Sequence, residues 1–347
     1  MRVDRLVVDG FGPLEGVDLA WNEGELLLVL EPNETGKSSL CEAVVAALYG
    51  LPKGRAAGGR MATRIDGPLR FDHGAQFMSV RGDGLASALV DWQRAGVVAP
   101  WLQAAPASGD GGTRWVGVPG MNALAPRLLW GAEVSNGVKV SGIGTDALGW
   151  WLASEAGRLP DCFDAVLVTT PAPQAAVLFE SCAGVDGAPF ADAMRRIRYA
   201  PCWALMLAFD VRLNAVDCVR FQPGGVLGWA ARDSSKPQRN AARECWVVHA
   251  DPQWSAEHVE LLPAQAATLL SDAFAAALGV TAVPVHRVAH RWRHARVVEA
   301  LGRECLWDET HRLGYASDGC LGERLEDAFD SANALADQVL QMGAGGG

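Results

Sequence analysis

Apolar positions along this chain recur in two rhythms, and each predicts its own kind of element. Residues 2–9 alternate loosely between apolar and polar and predict a strand. Leu26 to Leu30 is a continuous apolar run, the pattern of a buried strand. Leu40, Ala43, Val44, Ala47 and Leu48 then repeat at helical spacing as far as about Tyr49. Residues 124–140 read as helix then strand. Ala165 to Thr169 reads as a buried strand that leaves the sheet at Thr170-Pro171. A helix is predicted over 188–197, and strands rich in Trp and Val over 203–211, 225–231 and 245–250. The run AQAATLLSDAFAAALG predicts a helix over 263–278 that Gly279 closes. A last helix is expected from Arg324 to Met342, ahead of a disordered GAGGG tail over 341–347. Ala104 to Thr113 is the long loop signal.

Composition narrows the classes. The 347 residues allow two or three domains and a large core, and half of them are hydrophobic. Net charge is -10. Residues 1–52 hold three basic and nine acidic residues, so 3 − 9 = −6 of it lies there. That opposes a nucleic-acid partner, which needs a basic face. The eight cysteines form no CxxC and sit in apolar runs, so buried free thiols in a reducing compartment are expected. No apolar run has membrane-spanning length and Met1 precedes a charged segment, so neither a membrane partner nor a signal peptide is expected and the location reads as cytoplasmic. Thirteen Trp suit a large core and also a flat aromatic ligand.

Two stretches carry candidate chemistry. Glu31-Pro-Asn-Glu-Thr-Gly-Lys-Ser38 lies between the predicted strand and helix, the context of a P-loop. There Gly36, Lys37, Ser38 and Ser39 would hold nucleotide phosphate. Lys53 to Phe77, dense in Gly and Arg, ends in the polar cluster Asp72, His73 and Gln76. Its Gly58-Gly59-Arg60 allows close backbone approach to a diphosphate and adds a cation. Gly10, Gly12 and Gly16 only mimic a dinucleotide fingerprint, because the third position of the spacing is Glu15.

Residues 1–52, with FGPLEG, PNETGKSSL and EAVVAALYGLP, resemble the start of an ABC-type ATPase of the chromosome-maintenance and DNA-repair kind. Glu31 stands where that motif has its first Gly, and no LSGGQ-like signature follows. The only Walker-B-like string, Ala204 to Asp210, has Val211 in place of Glu and reads as an ordinary strand. From Lys53 to about residue 340 the chain resembles instead the renalase-like branch of the FAD-dependent amine oxidases. The phrases are GGRMATR (58–64), FDHGAQF (71–77), WVGVPGMNALAPRLL (115–129), DAVLVTTPAPQ (164–174), DSSKPQR (233–239), CWVVHADPQWS (245–255) and HRWRHARV (290–297). The chain therefore looks like a fusion with its seam at Leu51-Pro52-Lys53.

The resemblance implies an α/β fold. A Rossmann-like FAD/NAD(P)-binding domain, its N-terminal βαβ replaced by the P-loop strand–loop–helix, would interleave with a second α+β substrate domain. The FAD-binding parts would be about 53–80, 115–175 and 300–340, and the substrate domain about 81–114 and 176–299. The resemblance assigns Gly58, Gly59, Arg60 and Met61 to the pyrophosphate and flavin side, and Gly74, Ala75 and Gln76 to packing along the isoalloxazine. It places Val138 on a strand whose backbone meets adenine, and Thr170 and Pro171 at the crevice. Ser317 and Asp318 would face the ribityl chain, with Glu326 and Ala328 continuing that helix. Gln76, Trp229, His249 and Trp292 are candidates for the catalytic pocket. His286, His290 and His294 recur every four residues; on a strand that is roughly 13 Å per step, too far to share an ion, so no metal is expected and they read as a basic, partly exposed face.

The function implied is hydride transfer from a reduced nicotinamide-like or amine substrate to noncovalent FAD, with O2 as the second partner. Oligomeric state is left open. Two rival readings remain: an ATP-binding P-loop module, and an inactive fusion that has lost the GxGxxG segment and with it FAD affinity.

Overall fold

The computed structural model describes residues 5–8, 17–20, 59–102, 112–129, 138–239 and 242–344. β1 (Arg5–Val8) and β2 (Val17–Ala20) pair antiparallel, Arg5 opposite Ala20. β1 falls within the strand predicted for 2–9. The predicted strand over 26–30, its helix, and Gly36, Lys37, Ser38, Ser39 and Gly58 lie outside the described residues.

β3 (Thr63–Asp66) and β4 (Leu69–Asp72) form a hairpin that turns at Gly67, whose φ of 55° is the left-handed region glycine tolerates. α1 (Asp83–Arg94) follows, then the paired strands β5 (Val98–Pro100) and β6 (Trp115–Gly117), and the short α2 (Leu124–Leu128). β7 (Val140–Asp146), β8 (Gly149–Ser154) and β9 (Gly157–Phe163) make an antiparallel meander. The periodicity reading missed both α1 and most of this meander. β9 is mainly exposed, so its composition carries no alternation to detect.

β10 (Val166–Val168) pairs parallel with β17 (Leu313–Tyr315), which pairs antiparallel with β16 (Leu306–Asp308). Two layers cover this small sheet. Val166, Val168, Leu313 and Tyr315 pack with α3 (Ala172–Glu180) and α4 (Ala188–Arg196). Leu167 and Trp307 pack with Leu335 and Ala336 of the long C-terminal helix α8 (Leu325–Ala344). A Cβ on Gly314 would come within 2.9 Å of Leu335 Cδ1 and 2.7 Å of Leu167 Cδ2, so glycine permits this close approach of helix and sheet. The α/β character expected from the sequence is thus observed.

The largest sheet has the order β12-β13-β14-β11-β15 and is antiparallel throughout. Its strands are β11 (Arg198–Phe209), β12 (Cys218–Arg220), β13 (Leu227–Arg232), β14 (Glu244–Ala250) and β15 (His286–Glu299). Side chains alternate between its faces. Trp203, Leu205, Leu207, Phe209, Ala230, Trp246 and Val248 point to one face, which α6 (Pro263–Leu278) seals with Ala266, Leu270 and Phe274. α6 has the predicted bounds, and Gly279 ends it in the left-handed conformation, φ 64°. Before it, α5 (Pro252–Glu257) is capped by Asp251, whose carboxylate accepts the Gln253 amide at 2.9 Å. The Walker-B-like string is the buried centre of β11; Asp210 lies beyond the strand, exposed and 3.3 Å from Arg243.

Two further expectations change. The seven described cysteines are free, but only Cys245 and Cys320 are buried, and Cys162 is exposed. Val138 is not on a strand: β7 begins at Val140, and the Val138 side chain is exposed. Among the described residues no helix is long and apolar enough to cross a membrane.

Candidate active site

The second face of the five-stranded sheet carries the site. Arg220 pairs with Trp229, Trp229 with His249, His249 with Ala204 and Ala204 with His290. One register row therefore crosses all five strands and places Arg220, Trp229, His249, Ala204 and His290 on one face, about 4.8 Å apart per strand. Ala204, between His249 and His290, keeps that part of the row shallow. Trp292, two residues beyond His290 and opposite Cys202, extends the same face.

The loop after β4 packs on this face. His249 Nε2, which carries its proton in this arrangement, donates to the His73 carbonyl oxygen at 3.3 Å, and Trp292 Nε1 donates to the same oxygen at 3.0 Å. The His73 ring stacks edge-on against His290, 5.0 Å between centroids, and lies 5.0 Å from the Trp292 ring. Burial lowers the His73 pKa to about 4, helped by His290 and Arg64; burial likewise lowers His249 to about 4 and lowers His290. These rings are therefore neutral at pH 7. His286 packs on Phe71 and His294 on Tyr199. The face read as basic is instead a row of stacked rings, and burial lowers His286 as well.

Beyond His73 the loop meets the Gly59–Met61 turn. Gly59 has φ 44°, and Ala75 N donates to the Arg60 carbonyl at 2.7 Å. A Cβ on Gly74 would stand 1.9 Å from that oxygen, so only glycine fits there. The Arg60 guanidinium, still partly exposed, binds Asp318 at the start of α7 (Asp318–Leu321) through two hydrogen bonds, 2.5 and 2.8 Å. Met61 is buried in the core. Ser317 is held beside this contact: its Oγ lies 2.8 Å from Tyr315 OH, and its N–H donates to Ser331 at 3.1 Å.

Beneath the loop lies an ion cluster. Asp72 accepts from Lys236 Nζ at 3.0 Å, Arg239 Nη2 at 2.6 Å, Thr63 at 2.7 Å and the Met121 amide at 3.0 Å. Asp233 accepts from Lys236 at 2.6 Å and from the Asp72 amide at 3.3 Å. The four side chains are at most 2 % exposed. Burial would raise the Asp72 pKa, but Lys236 and Arg239 outweigh it and hold Asp72 below its ordinary value; burial and then the Asp72 charge raise Asp233. Asp72 stood out in the sequence, but Asp233, Lys236 and Arg239 did not: the signal was a run of three charges at i, i+3 and i+6 inside DSSKPQR.

The structure separates the predicted site residues into groups. Trp229, His249 and Trp292 share the row's face, but the Trp292 and His249 polar nitrogens are spent on the His73 carbonyl. Gln76 points inward, donating to the Asp72 carbonyl and accepting from Lys236 at 3.4 Å. Glu326 is engaged elsewhere, accepting from the Arg81 and Gly82 amides at the start of α1, and Ala328 is in the core. Thr170 and Pro171 stand where β10 gives way to α3, and Thr170 Oγ1 is buried without a partner among the described residues.

A parallel strand pair backed by helices, an antiparallel five-stranded sheet and a glycine-tight Arg60–Asp318 contact fit the class of FAD-dependent oxidoreductases with an α/β fold. The chain belongs to the flavin containing amine oxidoreductases, whose family model matches residues 91–300. An AAA domain model matches residues 1–108, in line with a fusion. The fold is similar to that of the cyclohexylamine oxidase from Brevibacterium oxydans IH-35A, at 11% identity and TM-score 0.65 over 88% of this chain and 97% of that one. It is similar to a putrescine oxidase redesigned in cofactor binding, at 11% identity and TM-score 0.61 with the same coverage. It also resembles a putative protoporphyrinogen oxidase from Exiguobacterium sp. 255-15, at 14% identity and TM-score 0.53 over 68% of this chain; that match spans about half, 54%, of the other protein.

The described residues fit FAD. A diphosphate needs a guanidinium and bare backbone, which Arg60 and Gly59 supply; a polyhydroxylated ribityl chain needs an acceptor, which Asp318 supplies. Thr170 Oγ1, His73 Nδ1 and Trp229 Nε1 are buried polar atoms without partners among the described residues, as a site shaped for a bound polar group leaves them.

Proposed function

We propose that this chain is a renalase-like oxidase that takes two electrons and a proton, as hydride, from an amine or a reduced nicotinamide-like substrate and passes the electrons to O2, giving H2O2. Bound FAD would supply the hydride-accepting ring and its reoxidation. The chain's own residues orient and seal. The paired Arg60 and Asp318 would hold the diphosphate and ribityl part of the cofactor, and Gly74 and Ala75 would pack against its ring. His249 and Trp292 pin the His73 carbonyl and so hold that loop in place. Trp229 and Phe77, 5.8 Å apart, wall off water. The neutral rings of His73, His249 and His290 keep the centre of the pocket free of cationic charge at pH 7, which suits departure of hydride from a neutral amine.

The observation that carries this reading is the row Arg220–Trp229–His249–Ala204–His290 facing the Gly74 loop. The test is a visible spectrum of the purified chain, followed by anaerobic addition of an amine panel and of reduced nicotinamide nucleotides. Flavin bands that bleach with a panel member, and peroxide formed on readmitting air, are expected. A colourless protein that takes up no added FAD overturns the reading. On this reading residues 53–340 form the working oxidoreductase and 1–52 an appended segment.

A further inference from the structure

Arg114 is a buried cation without a counter-charge among the described residues. The residue is 6 % exposed, yet among the described residues no carboxylate pairs with it. Its Nη1 donates only to Cys218 Sγ at 3.1 Å, and its guanidinium carbon lies 4.8 Å from the Phe77 ring centre and 5.1 Å from that of Trp229. Every other arginine with a side chain as hidden, Arg232 and Arg239, has carboxylate partners. Aromatic faces offset part of the cost of burying a guanidinium, but a full charge held away from water still calls for an anion.

Three neighbouring features point the same way. Arg220, the outermost member of the row, sets a second guanidinium 5.8 Å from the Trp229 ring, and among the described residues it too has no carboxylate partner. Trp229 Nε1 is a buried donor with no acceptor among the described residues. Arg220 is exposed and Phe77 half-buried, so the group reaches from solvent to the buried Arg114. Two guanidiniums thus each approach the Trp229 ring at the end of the row away from His290, and with the Trp229 N–H they are all donors and none an acceptor.

We propose that Arg114, Arg220 and Trp229 receive an anionic group, carboxylate or phosphate, of the substrate, so that this enzyme acts on anionic rather than simple alkyl amines or nicotinamides. Guanidinium pairs are suited to the paired oxygens of either group. Arg220 and His249 are two strands, about 10 Å, apart, which separates the anion from the neutral reaction centre. The inference rests on the oxidoreductase reading for the word substrate, but the anion site does not depend on flavin.

The test uses tryptophan fluorescence of the full chain at constant ionic strength. Benzoate is compared with benzamide, and nicotinamide mononucleotide with nicotinamide riboside. Saturable binding at least about tenfold tighter for the charged member of one pair is expected; the benzoate pair responding marks a carboxylate site, the mononucleotide pair a phosphate site. Arg114→Met should abolish that preference and Arg220→Gln should reduce it severalfold, while Arg114→Lys restores part of it. Equal binding within both pairs overturns the proposal, and so does a preference that survives Arg220→Gln and Arg114→Met unchanged. Should Arg114→Met not fold, the wild-type comparison and Arg220→Gln still decide. A spectrum of the same sample separates the two readings: selective anion binding by a colourless protein sinks only the flavin assignment, and a flavin-bearing protein without selectivity sinks only this one.

Discussion

The two faces of the five-stranded sheet are built from alternate residues of the same strands, and they differ in almost everything else. The α6 face is aliphatic and aromatic, with its polar atoms matched: Trp203 Nε1 donates to the His258 carbonyl at 3.0 Å and Trp246 Nε1 to Glu244 at 2.9 Å. The opposite face carries histidines, tryptophans and arginines, and it leaves His73 Nδ1 and Trp229 Nε1 unmatched among the described residues. Neighbouring residues on a strand thus serve opposite ends. One face is closed by α6; the other is closed in part by Leu69 and Phe71 over Met206, Ala208 and Val247, and leaves polar atoms unmatched along the row.

That contrast can be broken by mutation. Asp72→Ala leaves Lys236 and Arg239 buried with less counter-charge and should cost about 3–5 kcal/mol, read from urea unfolding. Phe274→Ala on the α6 face should cost a similar amount, about 3–5 kcal/mol. The sharpening lies in the cofactor: FAD retention at 20 °C should survive Phe274→Ala and fall with Asp72→Ala, and equal retention would erase the distinction between the faces.

Acid should act strongly on the ligand face. His73 and His249 titrate near 4 in the fold against about 6.5 when unfolded, so the unfolded chain binds more protons between those values. Stability is therefore intact above pH 6.5 and falls as the pH drops towards 4, by on the order of 3 kcal/mol for each ring. Below 4 this contribution stops changing. His249→Gln should flatten the slope of unfolding free energy over that window; an unchanged slope would show that the ring is not buried neutral.

Smaller effects follow along the loop. Gly74→Ala drives a Cβ into the Arg60 carbonyl and should cost about 1–3 kcal/mol, with FAD binding weakened more than stability. Trp292→Phe keeps the ring and removes one donor to the His73 carbonyl, for about 1 kcal/mol. A shifted flavin spectrum with a nearly unchanged melting temperature would confirm its positioning role.

Much of this was legible in one dimension. The α6 helix, its Gly279 stop, and strands β11, β13 and β14 follow from period and turn chemistry, because each buries one face and so repeats its apolar residues. Gly59, Arg60 and Gly74 stood out through the resemblance of GGRMATR and FDHGAQF to flavoenzymes, and Asp318 through the resemblance of its own C-terminal stretch. α1 escaped: its buried Leu85, Leu89 and Trp92 sit among many polar residues, and its start is stabilised by Glu326, 244 residues along the chain from Gly82.

The sequence alone determined the helices and strands that bury one regular face, the two-part likeness of the chain, and the flavin assignment, since these depend on local periodicity and contiguous phrases. Tertiary structure alone decided which residues meet. Strand order and register, not proximity in sequence, align Arg220, Trp229, His249, Ala204 and His290. Folding also turned His249 and Trp292 from pocket candidates into clamps on a carbonyl, and set His286 and His290, read as part of a basic face, against other rings where burial lowers their pKa. The physical reason is the same in each case: charge state and hydrogen-bond partner are set by burial and by neighbours that the chain brings together from more than a hundred residues away.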